Sequence, residues 1–130
     1  MKTATLIARV LLGLIFLLFG VNFFYPFIPM TPPKMSEAAT AFSGGLYGSG
    51  YFFQYMKVLE ILSGVALLVN RFTAFFLLVL LPISLNIFLY HAVLAPAGVA
   101  IGGGVILLNV FLCAAHFKYY KAVFTFQPKV

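Results

Sequence analysis

Apolar residues fall along this chain in four long blocks rather than in an alternating pattern. The blocks cover residues 5–24, 51–69, 72–94 and 98–117, and short polar or proline breaks at Asn70-Arg71 and Ala95-Pro96 separate the last three. Each block is roughly 20 residues long, enough for an α-helix to cross a hydrocarbon layer of about 30 Å. The pattern therefore predicts four membrane spans. The breaks after the second and third spans are too short for anything but antiparallel neighbours, which predicts an all-α, up-down four-helix bundle in one domain, residues 1–130. The first connection, residues 25–50, differs. Pro26, Pro29, Pro32 and Pro33 forbid a continuous helix. Ser36 is a suitable N-cap, and Glu37 through Phe42 predicts a short helix with its acid in the first turn. Gly44-Gly45 and Gly48-Ser49-Gly50 should end it. The expectation is a short interfacial helix over one mouth of the bundle.

Composition agrees with that pattern. Of 130 residues, 64% are hydrophobic and 8% charged, whereas soluble domains carry about 25% charged residues. The net charge of +6 does not imply nucleic-acid binding, because the cations sit singly at span ends instead of forming a basic face. They act as orientation signals. Lys2, Arg71, Lys118, Lys121 and Lys129 fall on one side if both termini do. The long first loop offers Lys34, offset by Glu37. An excess of Lys and Arg marks the cytoplasmic side, so both termini are expected there. The N-terminal stretch resembles a signal peptide, but Asn22-Phe23-Phe24-Tyr25-Pro26 lacks a small-x-small cleavage pattern, and it reads as an uncleaved first span. Cys113 is the single cysteine, which excludes an intramolecular disulfide, a CxxC pair and four-cysteine or Cys₂His₂ metal sites. No metal is expected.

Polar residues inside the spans are the candidates for chemistry, because ionisable groups in hydrocarbon are costly and turn inward. At helical spacing, Arg9, Gly13 and Gly20 share a face of the first span. Lys57, Glu60 and Gly64 share one on the second, and Gly98, Gly102, Asn109, Cys113 and His116 form a stripe on the fourth. Small residues mixed with polar ones mark membrane helix contacts, so Gly13, Gly20, Gly64, Gly98 and Gly102 are assigned to packing, with Gly102-Gly103-Gly104 allowing close approach. Glu60 lies about 15 Å from the inner end of its helix. The favoured expectation is an Arg9–Glu60 ion pair with Asn109 nearby. The alternatives are a Lys57 partner one turn away and an Arg9 that snorkels to the headgroups. Glu60 has two readings of its own, a structural pair that fixes helix register or a proton-exchanging, ligand-binding carboxylate. Pro82 predicts a kink in the third span. Asn86 and His91 stand about 140° apart, so a straight helix cannot turn both inward. His91, at the outer end, is an interfacial residue or lines an outward cavity. His116 lies about 25 Å away along the membrane normal, which rules out a shared haem or metal. Cys113 reads as a packing residue. The 16 Phe and 7 Tyr form an interfacial belt and could line a quinone or lipid pocket.

Arg9-Val-Leu-Leu-Gly13-Leu-Ile-Phe-Leu-Leu-Phe-Gly20 set beside Lys57-Val-Leu-Glu60-Ile-Leu-Ser-Gly64 resembles the DoxX family. Asn70-Arg71-Phe72, Pro82-Ile-Ser-Leu-Asn86, His91 and the Phe27-Ile28-Pro29-Met30 loop extend the resemblance over nearly the whole chain. It implies a small four-span protein of the bacterial inner (plasma) membrane. The family name comes from a subunit linked to a thiosulfate:quinone oxidoreductase. Some relatives associate with thiol-redox and superoxide-defence proteins, and distant ones act as chaperones or cargo receptors. Many members carry a lysine after the second glycine of the first span. Here the residues are Val21-Asn22-Phe23, which speaks against a role needing a cation at that point. The resulting expectation is an accessory subunit of a quinone- or thiol-linked redox system that does not catalyse independently. Its partners would be the bilayer, a redox protein and a second copy of itself, and quinone is the candidate cofactor. The alternative is a non-catalytic scaffold, chaperone or small-ligand-binding bundle. The polar candidates in either case are Arg9, Lys57, Glu60, Asn86, His91 and Asn109.

Overall fold

Five α-helices account for most of the computed structural model, which describes residues 2–29 and 35–129. They are α1 (Lys2–Phe24), α2 (Glu37–Gly48), α3 (Phe52–Val69), α4 (Thr73–Leu89) and α5 (Val99–Ala115). A π-helical turn, Tyr90–Leu94, prolongs α4, and short 3₁₀ turns at Pro96–Gly98 and Phe117–Tyr119 flank α5. Four helical stretches are long and apolar enough to cross a membrane: Lys2–Phe24, Phe52–Val69, Thr73–Leu94 and Pro96–Ala115. No more than 28% of any of them is buried inside the protein. The outward faces carry large apolar side chains such as Ile7, Leu62, Phe75, Val93, Ile101 and Leu107. A water-soluble surface does not tolerate apolar area on that scale, whereas a bilayer requires it.

The long helices close a ring in which α1 packs on α3, α3 on α4, α4 on α5 and α5 back on α1. The interior is a narrow column of Ala8, Leu12 and Phe16 from α1, Leu67 from α3, Leu77 and Leu80 from α4, and Val105 and Leu112 from α5. Glycines bring α1 and α3 together. A Cβ on Gly64 would lie 2.7 Å from the Leu17 nitrogen and 2.8 Å from the Gly13 oxygen, so backbone rests directly on backbone. Gly13 faces Gly64, Leu67 and Leu68, while Gly20 faces Lys57 and Ile61. Residue numbers thus rise along α1 as they fall along α3.

The turn from α3 to α4 uses two left-handed residues, Asn70 (φ 54°) and Phe72 (φ 55°). Asn70 ends α3 in the way glycine or asparagine commonly does, with Arg71 N–H donating back to Ala66 O at 3.0 Å. The Thr73 hydroxyl donates to Asn70 Oδ1 at 2.7 Å and holds the corner closed. At the other end, Ser36 caps α2 by accepting from Ala39 N–H at 3.1 Å. The helix continues through Gly44-Gly45, where the sequence suggested a stop, and ends at Gly48. The left-handed Gly50 (φ 81°) then turns the chain into α3. Among the described residues α2 packs against α3 and the Tyr90–Leu94 turn.

The third long helix changes type near its end. α4 passes Pro82 without interruption, and the irregularity falls later, at Tyr90–Leu94, where Ala95 N–H donates to Tyr90 O at 3.1 Å. Pro82 is on an exposed face of α4. Beyond it, the π turn carries His91, whose ring lies over Gly98 and Gly102.

Candidate functional site

Lys57 and Glu60 lie one turn apart on α3 and form an ion pair, with the ammonium 3.1 Å from Oε2 and 3.5 Å from Oε1. Glu60 is 2% exposed. Its Oε2 makes no hydrogen bond, and the Ser63 hydroxyl one turn further on is buried without a partner among the described residues. Two underused oxygens therefore fall within one turn at mid-helix, and Lys57 is the cation that balances the carboxylate.

Arg9 is not at this pair. Gly13 facing Leu67–Leu68 and Gly20 facing Lys57–Ile61 place Arg9 beside the last turn of α3, about 13 Å along the axis from Glu60. Arg9 Nη1 donates to Leu67 O, and also to Leu68 O at 3.3 Å. Those carbonyls lie at the negative end of α3, where Leu67 O also accepts from Asn70 N–H at 3.3 Å, so a guanidinium there adds donors to the helix terminus and complements the helix dipole. The expected Arg9–Glu60 pair is replaced by Lys57–Glu60, and the arginine becomes a helix-end clamp.

Asn109 is also elsewhere. Its Nδ2 donates to Ser84 Oγ at 2.9 Å, a buried stitch between α4 and α5, and within α5 the half-buried Cys113 thiol donates to its Oδ1 at 3.5 Å. Ser84 was not singled out in the sequence, because a serine in an apolar helix signals nothing until its partner is known. Asn86 points away from the interior and is exposed. His91 turns inward, its Nδ1 3.4 Å from Ala95 O. The ring lies over Gly98, where a Cβ would collide with it, and over Gly102, whose Cβ would come within 3.2 Å of it. Gly98 and Gly102 thus make room for an imidazole and for Phe88. A cationic or amide group from every helix does not converge on one axis. The polar groups are spread over three levels.

Lys57 joins the buried pair to an open cavity. Its side chain is 20% exposed, against 3% for Glu60, and it lines a cavity of about 730 Å³ with Phe19, Asn22, Phe23, Pro26, Ile28, Pro29, Tyr47 and Phe53. Asn22 Oδ1 accepts from Phe27 N–H at 2.9 Å and Ile28 N–H at 2.8 Å, folding the chain after α1 into the cavity wall. Tyr47 and Phe53 rings meet at 4.4 Å, with Phe23 6.0 Å and 6.2 Å from them. The result is an aromatic-walled recess at the loop end with one ammonium on its wall and a carboxylate behind it. Such a recess can receive a flat or apolar body and donate hydrogen bonds to an acceptor on its head.

At the other end, Tyr120 is 3% exposed and donates to Ala74 O at 2.7 Å, pinning the segment after α5 onto α4. Burial pushes the Tyr120 phenol well above its usual range, and the neighbouring Cys113 thiol adds to that. This tyrosine was another residue that sequence reading passed over among seven.

Fold and site together define an all-helical protein with four membrane-length helices and a buried ion pair opening on an aromatic recess. Compared with known proteins, the chain matches no family model, no curated protein and no solved structure.

Proposed function

We propose that the chain is a multi-pass protein of the bacterial inner membrane, an up-down bundle whose two termini face the cytoplasm and whose α2 lies along the outer interface. The supporting observation for orientation is charge. Lys2, Arg71, Lys118, Lys121 and Lys129 cluster at the termini end, while Lys34, the opposing cation of the first loop, lies outside the described residues.

In this reading the protein is an accessory that holds an amphipathic molecule with an acceptor-bearing head in the outward recess. The observation that carries it is Lys57, whose ammonium is shared between buried Glu60 and the aromatic cavity. The resemblance to the DoxX family selects a quinone from that ligand class, and a partner redox protein as the user of it. The residues fit such a group. Lys57 supplies donors to a carbonyl oxygen, and Tyr47, Phe53 and Phe23 offer ring faces. A bound quinone would supply two-electron, two-proton redox capacity, while the chain's part is to hold and orient the head and keep a paired charge beside it. The scaffold reading, in which the pair only fixes α3, draws its support from the near-complete burial of Glu60.

Extraction of lipid and quinone from the purified protein, quantified by mass spectrometry, separates the two. The variant Lys57→Met/Glu60→Leu keeps an uncharged, packed core and should lose bound quinone while remaining folded. Retention of the same quinone content by that variant would overturn the ligand-binding reading and leave the scaffold.

A further inference from the structure

The end of the bundle opposite the aromatic recess carries a second cavity, of about 460 Å³, lined by Lys2, Thr5, Leu6, Arg9, Asn70, Ala115 and His116. Three separate parts of the chain build it: the first two turns of α1, the α3–α4 corner and the end of α5. Four of their polar groups are able to donate into it, as an ammonium, a hydroxyl, a guanidinium and an amide. Arg9 is anchored through Nη1 to the Leu67 and Leu68 carbonyls, which leaves Nε and Nη2 without a protein partner among the described residues. The His116 Nδ1 is 2.8 Å from Leu112 O. A carbonyl can only accept, so that nitrogen carries the hydrogen, and Nε2 of the neutral ring is an acceptor that gives the cavity no donor. No acidic side chain lines the cavity. The chain has two acids, of which Glu37 begins α2 at the far end and Glu60 is paired with Lys57.

From this geometry we infer that the cavity is a binding site for a phosphate group, supplied by the head of an anionic phospholipid in the leaflet at the termini end. The shared chemistry is a compact oxyanion held by Arg9 and Lys2, with Thr5 and Asn70 as neutral donors. The lipid source is favoured by the walls. Leu6 and Ala115 give the cavity an apolar side, and Leu6 and Ile7 continue outward as an exposed apolar surface on α1 along which an acyl chain can lie. Basic pockets between spans at this level are suited to anionic headgroups. The inference rests on the bundle spanning a membrane and not on any ligand of the outward recess, so failure of one leaves the other standing.

The test is lipid selectivity in reconstituted vesicles, read by electron spin resonance of spin-labelled phosphatidylglycerol against spin-labelled phosphatidylcholine. The wild-type protein should prefer phosphatidylglycerol, and Lys2→Gln should lose about fivefold of that preference. A charge-matched control, Lys121→Gln, removes a cation that does not line the cavity and should keep the preference. Retaining Arg9 preserves the clamp on α3 and keeps the variant folded. Inorganic phosphate at millimolar concentration should not compete. Competition would assign the same site to a soluble phosphate and overturn the lipid source. Equal association of both lipids with the wild type, or equal losses in variant and control, would overturn the site itself.

Discussion

Removing one partner of the Lys57–Glu60 pair should have unequal consequences depending on which partner goes. Glu60 is enclosed, its side chain 3% exposed, while Lys57 is 20% exposed and borders an open cavity. With Glu60→Gln, the lysine retains a flexible four-carbon stem and can swing its ammonium into the recess, where water solvates it. The loss is then a charge-assisted contact, about 1–2 kcal/mol. With Lys57→Met, the carboxylate stays behind with no other cation in reach among the described residues, since Arg9 lies about 13 Å away along the axis. An uncompensated buried charge costs about 3–5 kcal/mol. Replacing both, as Lys57→Met/Glu60→Leu, removes the charge and its penalty together and should fall within about 1 kcal/mol of wild type. The assay is equilibrium unfolding of bicelle-reconstituted protein by added dodecyl sulfate, followed by far-ultraviolet circular dichroism. Equal losses for the two single variants would refute the argument from unequal exposure. A double variant as unstable as the sum of the singles would refute the pairing itself.

Two further outcomes follow from the packing. Gly64→Val should cost about 1–3 kcal/mol or more by forcing α1 off α3, because its Cβ would meet backbone atoms of Leu17 and Gly13 at 2.7–3.0 Å. Gly104→Ala, with nothing within 4 Å, should stay within about 0.5 kcal/mol, and the same unfolding assay compares them. Tyr120 gives a pH dependence. Its folded pKa is raised by burial, so its contribution is complete below the ordinary tyrosine pKa of about 10 and is lost as pH climbs towards the folded value. Stability of the wild type should fall more steeply above that pH than that of Tyr120→Phe, which itself gives up about 1 kcal/mol at neutral pH with the bond to Ala74 O. Parallel curves for the two proteins would contradict this.

The faces of the helices were readable along the chain more completely than what those faces meet. Gly13 and Gly20 stand on one stripe, as do Lys57, Glu60 and Gly64, and spacing alone shows that. The partner of Glu60 was not readable, because Arg9 and Lys57 each lie within a plausible reach on paper. A few ångströms of sliding between α1 and α3 decide between them. Gly64 against Leu17 sets that slide, and it puts Arg9 at carbonyls instead of a carboxylate. Ser84 shows the same limit from the other side. One hydroxyl in an apolar helix becomes meaningful once Asn109 is found 2.9 Å away, 25 residues later in the chain.

The sequence by itself determined that this protein is made of four membrane-length apolar helices, because the cost of exposing an unpaired peptide group in hydrocarbon leaves a helix as the local solution for each run. It also determined the helix ends that rest on local chemistry, such as the Ser36 cap and the left-handed Asn70 corner. Only the tertiary structure decided that Lys57 is held between a buried acid and an aromatic recess, that His91 turns in while Asn86 turns out, and that Arg9 joins His116 at the opposite end. The physical reason is that apolar patterning depends on each residue's own transfer free energy, whereas polar pairing depends on the axial register of neighbouring helices. That register is fixed by backbone contact at a few glycines whose neighbours lie far away in the chain.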